Sequence, residues 1–173
     1  AMKRQIHAYR EIGGITVPGQ NLKLGRGGIR EIEFFVQTQQ LIAGGRQPDL
    51  RVRATLDALA ALEERRWVKA GCRAELDEAY RYLRRLEHRV QMVADEQTHE
   101  LPANPATLEA FAHFAGYPGT NELAAELTAN LETVERHYSE LFEDAPALTG
   151  ESSNMVFSGA EDDPQTAAEL KRL

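Results

Sequence analysis

Between Leu76 and Val93 an apolar side chain returns every three or four residues: Leu76, Ala79, Tyr80, Leu83, Leu86, Val90 and Val93. That is the period of an α-helix with one face against a core, and it excludes the alternation of a strand. A stripe of about five turns has to be covered by neighbouring helices, because no sheet signal in this chain could cover it. The predicted outer face is charged. Arg81, Arg84, Arg85 and Arg89 stand there against Glu75, Asp77, Glu78 and Glu87.

The remaining segments follow the same period. A helix is predicted from Gly28, with Ile29, Ile32, Phe35, Val36 and Ile42 inward, and "GGRQPD" (44–49) ends it, with Gly44 or Gly45 in the left-handed stop position. A second runs from about Arg53 to Arg66 with Leu56, Leu59, Ala60 and Leu62 inward, and "VKAG" breaks it. A fourth starts at Pro105, which suits a first helical turn, and reaches Ala115. A fifth spans Asn121 to Phe142, with Leu123, Leu127, Leu131, Val134, Tyr138 and Leu141 inward. The expected fold is all-α, a helical bundle of about five main helices.

Around the bundle the pattern weakens. Residues 3–12 predict a short helix of poor periodicity, 13–21 read as loop or hairpin, and "LKLG" (22–25) as a short extended piece. The expected division is a lead-in over 1–22, the bundle over 23–144, a linker over 145–163 and the start of another helix over 164–173. The abrupt opening suggests a piece of a longer protein.

Hydrophobic residues make up 42%, enough to build a core, and the net charge of −7 argues against a nucleic-acid or anionic-membrane surface. No apolar run approaches the roughly 18 residues of a membrane span. The single cysteine, Cys72, forms no internal disulfide and no cysteine metal cluster. A cytoplasmic protein is expected.

Against that acidic background "NLKLGRGGIREIEFF" (21–35) is unusual. Two glycines ahead of a helix allow close approach to the backbone. The first-turn N–H groups form an anion site at the positive end of the helix dipole. Lys23, Arg26 and Arg30 bracket it, and arginine adds a planar fork suited to phosphate. Glu31 and Glu33 supply carboxylates that orient the arginines or reach a metal through water. The alternative is structural: a turn, two dipole-stabilising glutamates, and arginines paired with those glutamates or with another helix. The segment is neither a P-loop nor a dinucleotide fingerprint, since it lacks Gly-Lys-Ser/Thr and a βαβ unit.

"NLKLGRGGIREIEFFVQTQQLIAGGRQPDLR" and "YRYLRRLEHRVQMVADEQTHELP" resemble two signatures of the bacterial glutamine synthetase adenylyltransferase/adenylyl-removing family. The match covers roughly residues 20–142. It implies the helical domain that follows the first nucleotidyltransferase core. The Arg30-Glu31 pair and "DEQTHELP" look more like the adenylyl-removing half. The resemblance implies Mg2+ with ATP, ADP and phosphate in the whole enzyme, and as partners the upstream core, glutamine synthetase and a PII-type protein. Lys23, Arg26, Gly27, Gly28 and Arg30 become the implied nucleotide- or phosphate-binding set, with Glu31 and Glu33 in support. The family's catalytic Asp-x-Asp pair has no counterpart here. "EDD" (161–163) falls in the expected linker and reads as solvated, so the chain is expected to be inactive alone.

The other chemistry-bearing residues read as structural. His88 is expected at the surface, His99 and Glu100 at a helix end, His113 and His137 apart from any metal set, Cys72 as unreactive and Trp67 as a core plug. Asp95, Glu96 and Gln97 close the long helix where acids oppose the dipole, so Arg26 or Arg30 is their expected partner, with direct contact to nucleotide or metal as the alternative. Two functions fit. In one, the glycine–arginine start is an exposed electropositive notch completing a nucleotide site. In the other, that start is buried, and an apolar face elsewhere docks glutamine synthetase or a PII-type regulator.

Overall fold

A computed structural model describes residues 15–143. The expected helix over 3–12, the linker and the following helix lie outside the described residues. Among the described residues there are five α-helices, α1 Ile29–Ala43, α2 Thr55–Glu64, α3 Cys72–Ala94, α4 Pro105–Phe114 and α5 Thr120–Glu143, with a 3-10 turn at Pro48–Leu50. Among the described residues there is no strand, only an isolated antiparallel bridge between Asn21 and Glu100. The all-α expectation holds. No helix among them is long and apolar enough to cross a membrane.

α1, α2 and α3 pack against one another. Their shared core takes Ile29, Ile32, Phe35 and Val36 from α1, Ala58, Leu59 and Leu62 from α2, and Leu76, Ala79, Leu83, Leu86 and Val90 from α3. Leu108, Phe111 and Ala112 of α4 join it, as do Leu123, Leu127, Leu131 and Val134 of α5. Asn104 caps α4, its side chain accepting from the Ala106 and Thr107 amides, with Pro105 next in the chain.

The stripes drift at their flanks. On α3, Tyr82 is buried in place of Tyr80, because its hydroxyl meets that of Tyr117 at 3.2 Å, beyond the end of α4. Val93 is exposed, one turn past the last covered position. On α1, Ile42 is exposed and Ala43 buried, seven residues after Val36, which keeps the two-turn period. On α2, Ala58 is buried and Leu56 only half-buried.

Three further expectations are corrected. Gly44 is right-handed (φ −68°), and its carbonyl is capped at 2.7 Å by Nε of Arg51, so no left-handed stop is needed. Trp67 is not a core plug. It is 37% exposed, and its Nε1–H donates to Gln47 at 3.1 Å. "LKLG" is a turn rather than an extended piece.

Candidate functional site

The turn into α1 is wound by Asn21. Its Oδ1 accepts from the amides of Lys23 (3.1 Å) and Leu24 (2.7 Å), and its carbonyl accepts from Gly25 (2.9 Å). Asparagine favours this local bonding over an extended backbone, which is why "LKLG" turns. The chain then folds its own carbonyls under the helix start. Gly28 N–H donates to Gly25 O, Ile29 N–H to Leu22 O, Arg30 N–H to Lys23 O and Glu31 N–H to Gly28 O, all at 2.9–3.0 Å. Gly27 N–H, one residue before the N-cap Gly28, donates to Oε2 of Glu31 at 3.0 Å. Every amide from Gly27 to Glu31 therefore has an acceptor within the chain.

The glycines are buried against protein. Gly27 is left-handed (φ +71°), and a Cβ there would stand 2.2 Å from the Leu131 carbonyl oxygen of α5. A Cβ on Gly28 would meet Gly25 O at 2.7 Å and the Leu22 and Lys23 oxygens at 2.9 Å. The open notch that the nucleotide-site reading places at this helix start is absent among the described residues, and the start is buried as the docking reading expects. The backbone comes close to α5 and to itself.

The cations divide. Arg26 forms an ion pair with Glu135 of α5, while Gln20, itself buried, donates from Nε2 to the Arg26 carbonyl at 3.4 Å. Arg30 points outward with a side chain 64% exposed, its Nη1 3.5 Å from Oε2 of Glu33. Lys23 is half-buried. Asp95, Glu96 and Gln97 are exposed, and Asp95 itself ends α3 in the left-handed conformation (φ 49°). The expected strut from these acids to Arg26 or Arg30 is replaced by Glu135 and Glu33. The arginines and that helix end are far apart in sequence, and only the fold decides who faces whom.

The segment Thr98–Leu101 lies beside the turn. Leu22 N–H donates to His99 O at 2.8 Å, and Leu101 N–H to Gln20 O at 2.9 Å. Asn21 Nδ2 donates to Oε1 of Glu100 at 3.4 Å. His99 and Glu100 thus pair with the turn rather than cap a helix, and the two signature segments meet in space. Next to them a hollow of about 360 Å3 is lined by Gly19, Val90, Val93, Glu96 and Glu100 among others. Its carboxylates make it a poor seat for phosphate.

Behind this segment stands Glu87, predicted to face outward but 1% exposed. Arg84 Nη1 donates to its Oε2 at 2.6 Å, and His99 Nδ1 stands 2.8 Å from its Oε1, off the axis of a well-aligned hydrogen bond. A charge at this position reads as surface in any helical wheel, so the sequence hides it. Glu135 is hidden in the same way on α5, and Gln20 lies in a loop whose partners no helical period encodes. Asn21, an asparagine ahead of a glycine-rich stretch, is the signal that could have shown the turn.

The other titratable groups bind the bundle together. His137 is buried, with Nε2 2.7 Å from Oε2 of Glu75. Hydrogen bonds from Arg136 and then His137 hold the Glu75 carboxyl below its ordinary pKa. Burial, then the nearby Glu75, pushes the Cys72 thiol up to about 12, so the thiolate nucleophile is scarce at neutral pH. His88 is exposed, as expected. Among the described residues no group of three or more His, Cys, Asp or Glu is placed to hold a metal ion.

A helical bundle whose two signature segments meet at one glycine–arginine turn defines a class of domain. Residues 1–142 match the family model described as GlnD PII-uridylyltransferase, and the chain belongs to that family. Its full length is also similar to curated bifunctional glutamine synthetase adenylyltransferase/adenylyl-removing enzymes. Identity is 57% with that of Agrobacterium fabrum, 54% with that of Xanthobacter autotrophicus and 53% with that of Rhizobium meliloti, over 100% of this chain. The chain spans 18% of the length of each of these relatives. The resemblance read from the two signatures stands.

Proposed function

We propose that the chain is the helical domain of a bifunctional enzyme that adds AMP to glutamine synthetase and removes it, working beside a nucleotidyltransferase core in the adenylyl-removing half. On this reading Mg2+, ATP, ADP and phosphate are held by that core, and the chain alone turns nothing over. Its contribution is cationic. Arg30 and Lys23 reach the nucleotide or phosphate with their side chains. Gly27, Gly28, Arg26 and Glu31 hold the turn that presents them, and Glu33 orients Arg30.

The observation that carries this reading is Arg30: an exposed guanidinium at the start of a helix whose first-turn amides are fully bonded. A fixed cation stabilises charge developing on a transferring phosphoryl group without reorganising at that moment. The phosphate contact passes through side chains, because the backbone donors are already used.

The test uses the longer enzyme that contains this chain. Arg30→Ala should slow adenylyl removal about 10- to 1,000-fold, the order expected for one preorganised cationic contact. Arg30→Lys should recover part of the rate, since an ammonium lacks the fork. An unchanged rate for Arg30→Ala would sink the proposal.

A second reading, docking of glutamine synthetase or a PII-type regulator, has its own observation. Leu41 and Ile42 at the far end of α1 are 84% and 62% exposed, beside a hollow of about 570 Å3 lined by Gln37, Gln40, Leu41 and Arg51 among others. In the same assay, Leu41→Lys raising KM for glutamine synthetase at unchanged kcat would favour it.

A further inference from the structure

We infer that Glu87 is a positioning residue for the turn that carries Lys23 and Arg30, and that it acts through His99. A buried carboxylate is a poor way to stabilise a bundle, because a leucine at the same point of the α3 stripe would do so without desolvating a charge. A carboxylate offers direction instead. Its two oxygens face different parts of the molecule.

Oε2 takes Arg84, three residues away on the same helix, at 2.6 Å. That contact offsets the buried charge and ties nothing beyond α3. Oε1 faces His99 of the segment at 98–101, 2.8 Å from Nδ1. From His99 the connection runs through backbone. Its carbonyl takes the Leu22 amide at 2.8 Å, the Leu22 carbonyl takes the Ile29 amide at 3.0 Å, and the Lys23 carbonyl takes the Arg30 amide at 2.9 Å. The Leu101 amide on Gln20, whose side chain bonds the Arg26 carbonyl, braces the same turn from the other side. The 23-residue α3 of the shared core is thereby linked to the residue on which the proposed phosphate contact depends.

The inference rests on that reading of Arg30 for its functional meaning, but its physical content is tested on this chain without any activity. Amide hydrogen exchange is measured for the 173-residue chain and for Glu87→Gln, which keeps shape and removes charge. The amides of Leu22, Ile29, Arg30 and Leu101 should exchange roughly 10-fold faster, with those of α2 and α4 unchanged. His99→Ala, at a partly exposed side chain outside the hydrophobic core, should give the same local pattern. The double variant should exchange no faster than the faster single one, since both changes break one link. Unchanged amides in the turn, or faster exchange across all helices alike, would overturn the inference.

In the longer enzyme the same variants enter a cycle with Arg30→Ala. Positioning through Arg30 predicts that Glu87→Gln adds no further loss once Arg30 is alanine. Two losses that multiply would overturn the inference and leave the proposed function standing. Full activity in Arg30→Ala sinks the proposed function, while exchange still decides for or against Glu87.

Discussion

The two ends of α1 are built in opposite ways. At the N-terminal end every amide from Gly27 to Glu31 is bonded, both glycines are buried, and the backbone lies against α5. At the C-terminal end the backbone is also closed: Gly44 N–H donates to Gln40 O, Arg51 caps the Gly44 carbonyl, and Gln40 holds the Leu50 and Val52 carbonyls at 2.7 and 2.8 Å. Yet two large apolar side chains, Leu41 and Ile42, stand in solvent there. Both ends satisfy their polar groups, as a folded chain must. They differ in what the side chains do. One end uses glycine to reach its neighbours and leaves a cation outside. The other leaves hydrocarbon outside.

The largest way to break this contrast is Gly27→Ala. A left-handed conformation costs an L-residue roughly 1–2 kcal/mol, and overpacking against a fixed backbone costs roughly 1–3 kcal/mol more. The Leu131 carbonyl, 2.2 Å from the new Cβ, has little room to yield inside α5. The melting temperature should fall by roughly 5–15 °C. A shift under 2 °C by calorimetry would mean that the turn stands off from α5 in solution, and the N-terminal end would then be as open as the sequence alone suggested.

That expectation shows how far the sequence could be read. The five helices were legible because each carries a stripe that only a helix can bury, and the stripe on α3 fixed the class. The turn was legible as important, since two glycines and two arginines in an acidic chain need a reason. What stayed hidden was direction. A glycine pair invites a ligand or another backbone with equal ease, and here Leu131 sits at the contact. Glu87 read as surface because nothing in a helical wheel says that His99 returns to meet it. Ile42 read as core because it follows the buried Phe35 by two turns, and a period does not say where the neighbouring helices stop covering the stripe. Each miss concerns a partner far away in the chain, which periodicity does not encode.

A smaller effect sharpens the comparison through charge. Arg26 and Glu135 are both partly exposed, with side chains at 32% and 22%. A pair of this kind contributes about 1 kcal/mol or less. Arg26→Ala should therefore destabilise the chain by about 1 kcal/mol in dilute buffer. The gap from the parent should narrow in 1 M salt, where charges are screened beyond roughly 3 Å. Chemical denaturation in urea at two salt concentrations reads this directly. A loss that salt does not touch would assign the role to the hydrocarbon stem of Arg26 packed beside α5, and the clasp would be steric rather than electrostatic.

The smallest effect belongs to the other end. Leu41 is 84% exposed, so Leu41→Ser returns almost no buried surface to water. Serine is a weaker helix former than leucine, but the position lies in the last turn of α1, where propensity counts least. The expected change is below about 0.5 kcal/mol, within roughly 2 °C in melting temperature. Near-neutrality is the informative outcome. It would mean that the fold does not use this leucine, so its exposure has to be explained by something outside the bundle or by nothing at all. A drop as large as that of Arg26→Ala would show Leu41 packed against the chain in solution. The two ends of α1 would then be alike, both closed upon the molecule, and the docking reading would lose the observation it stands on.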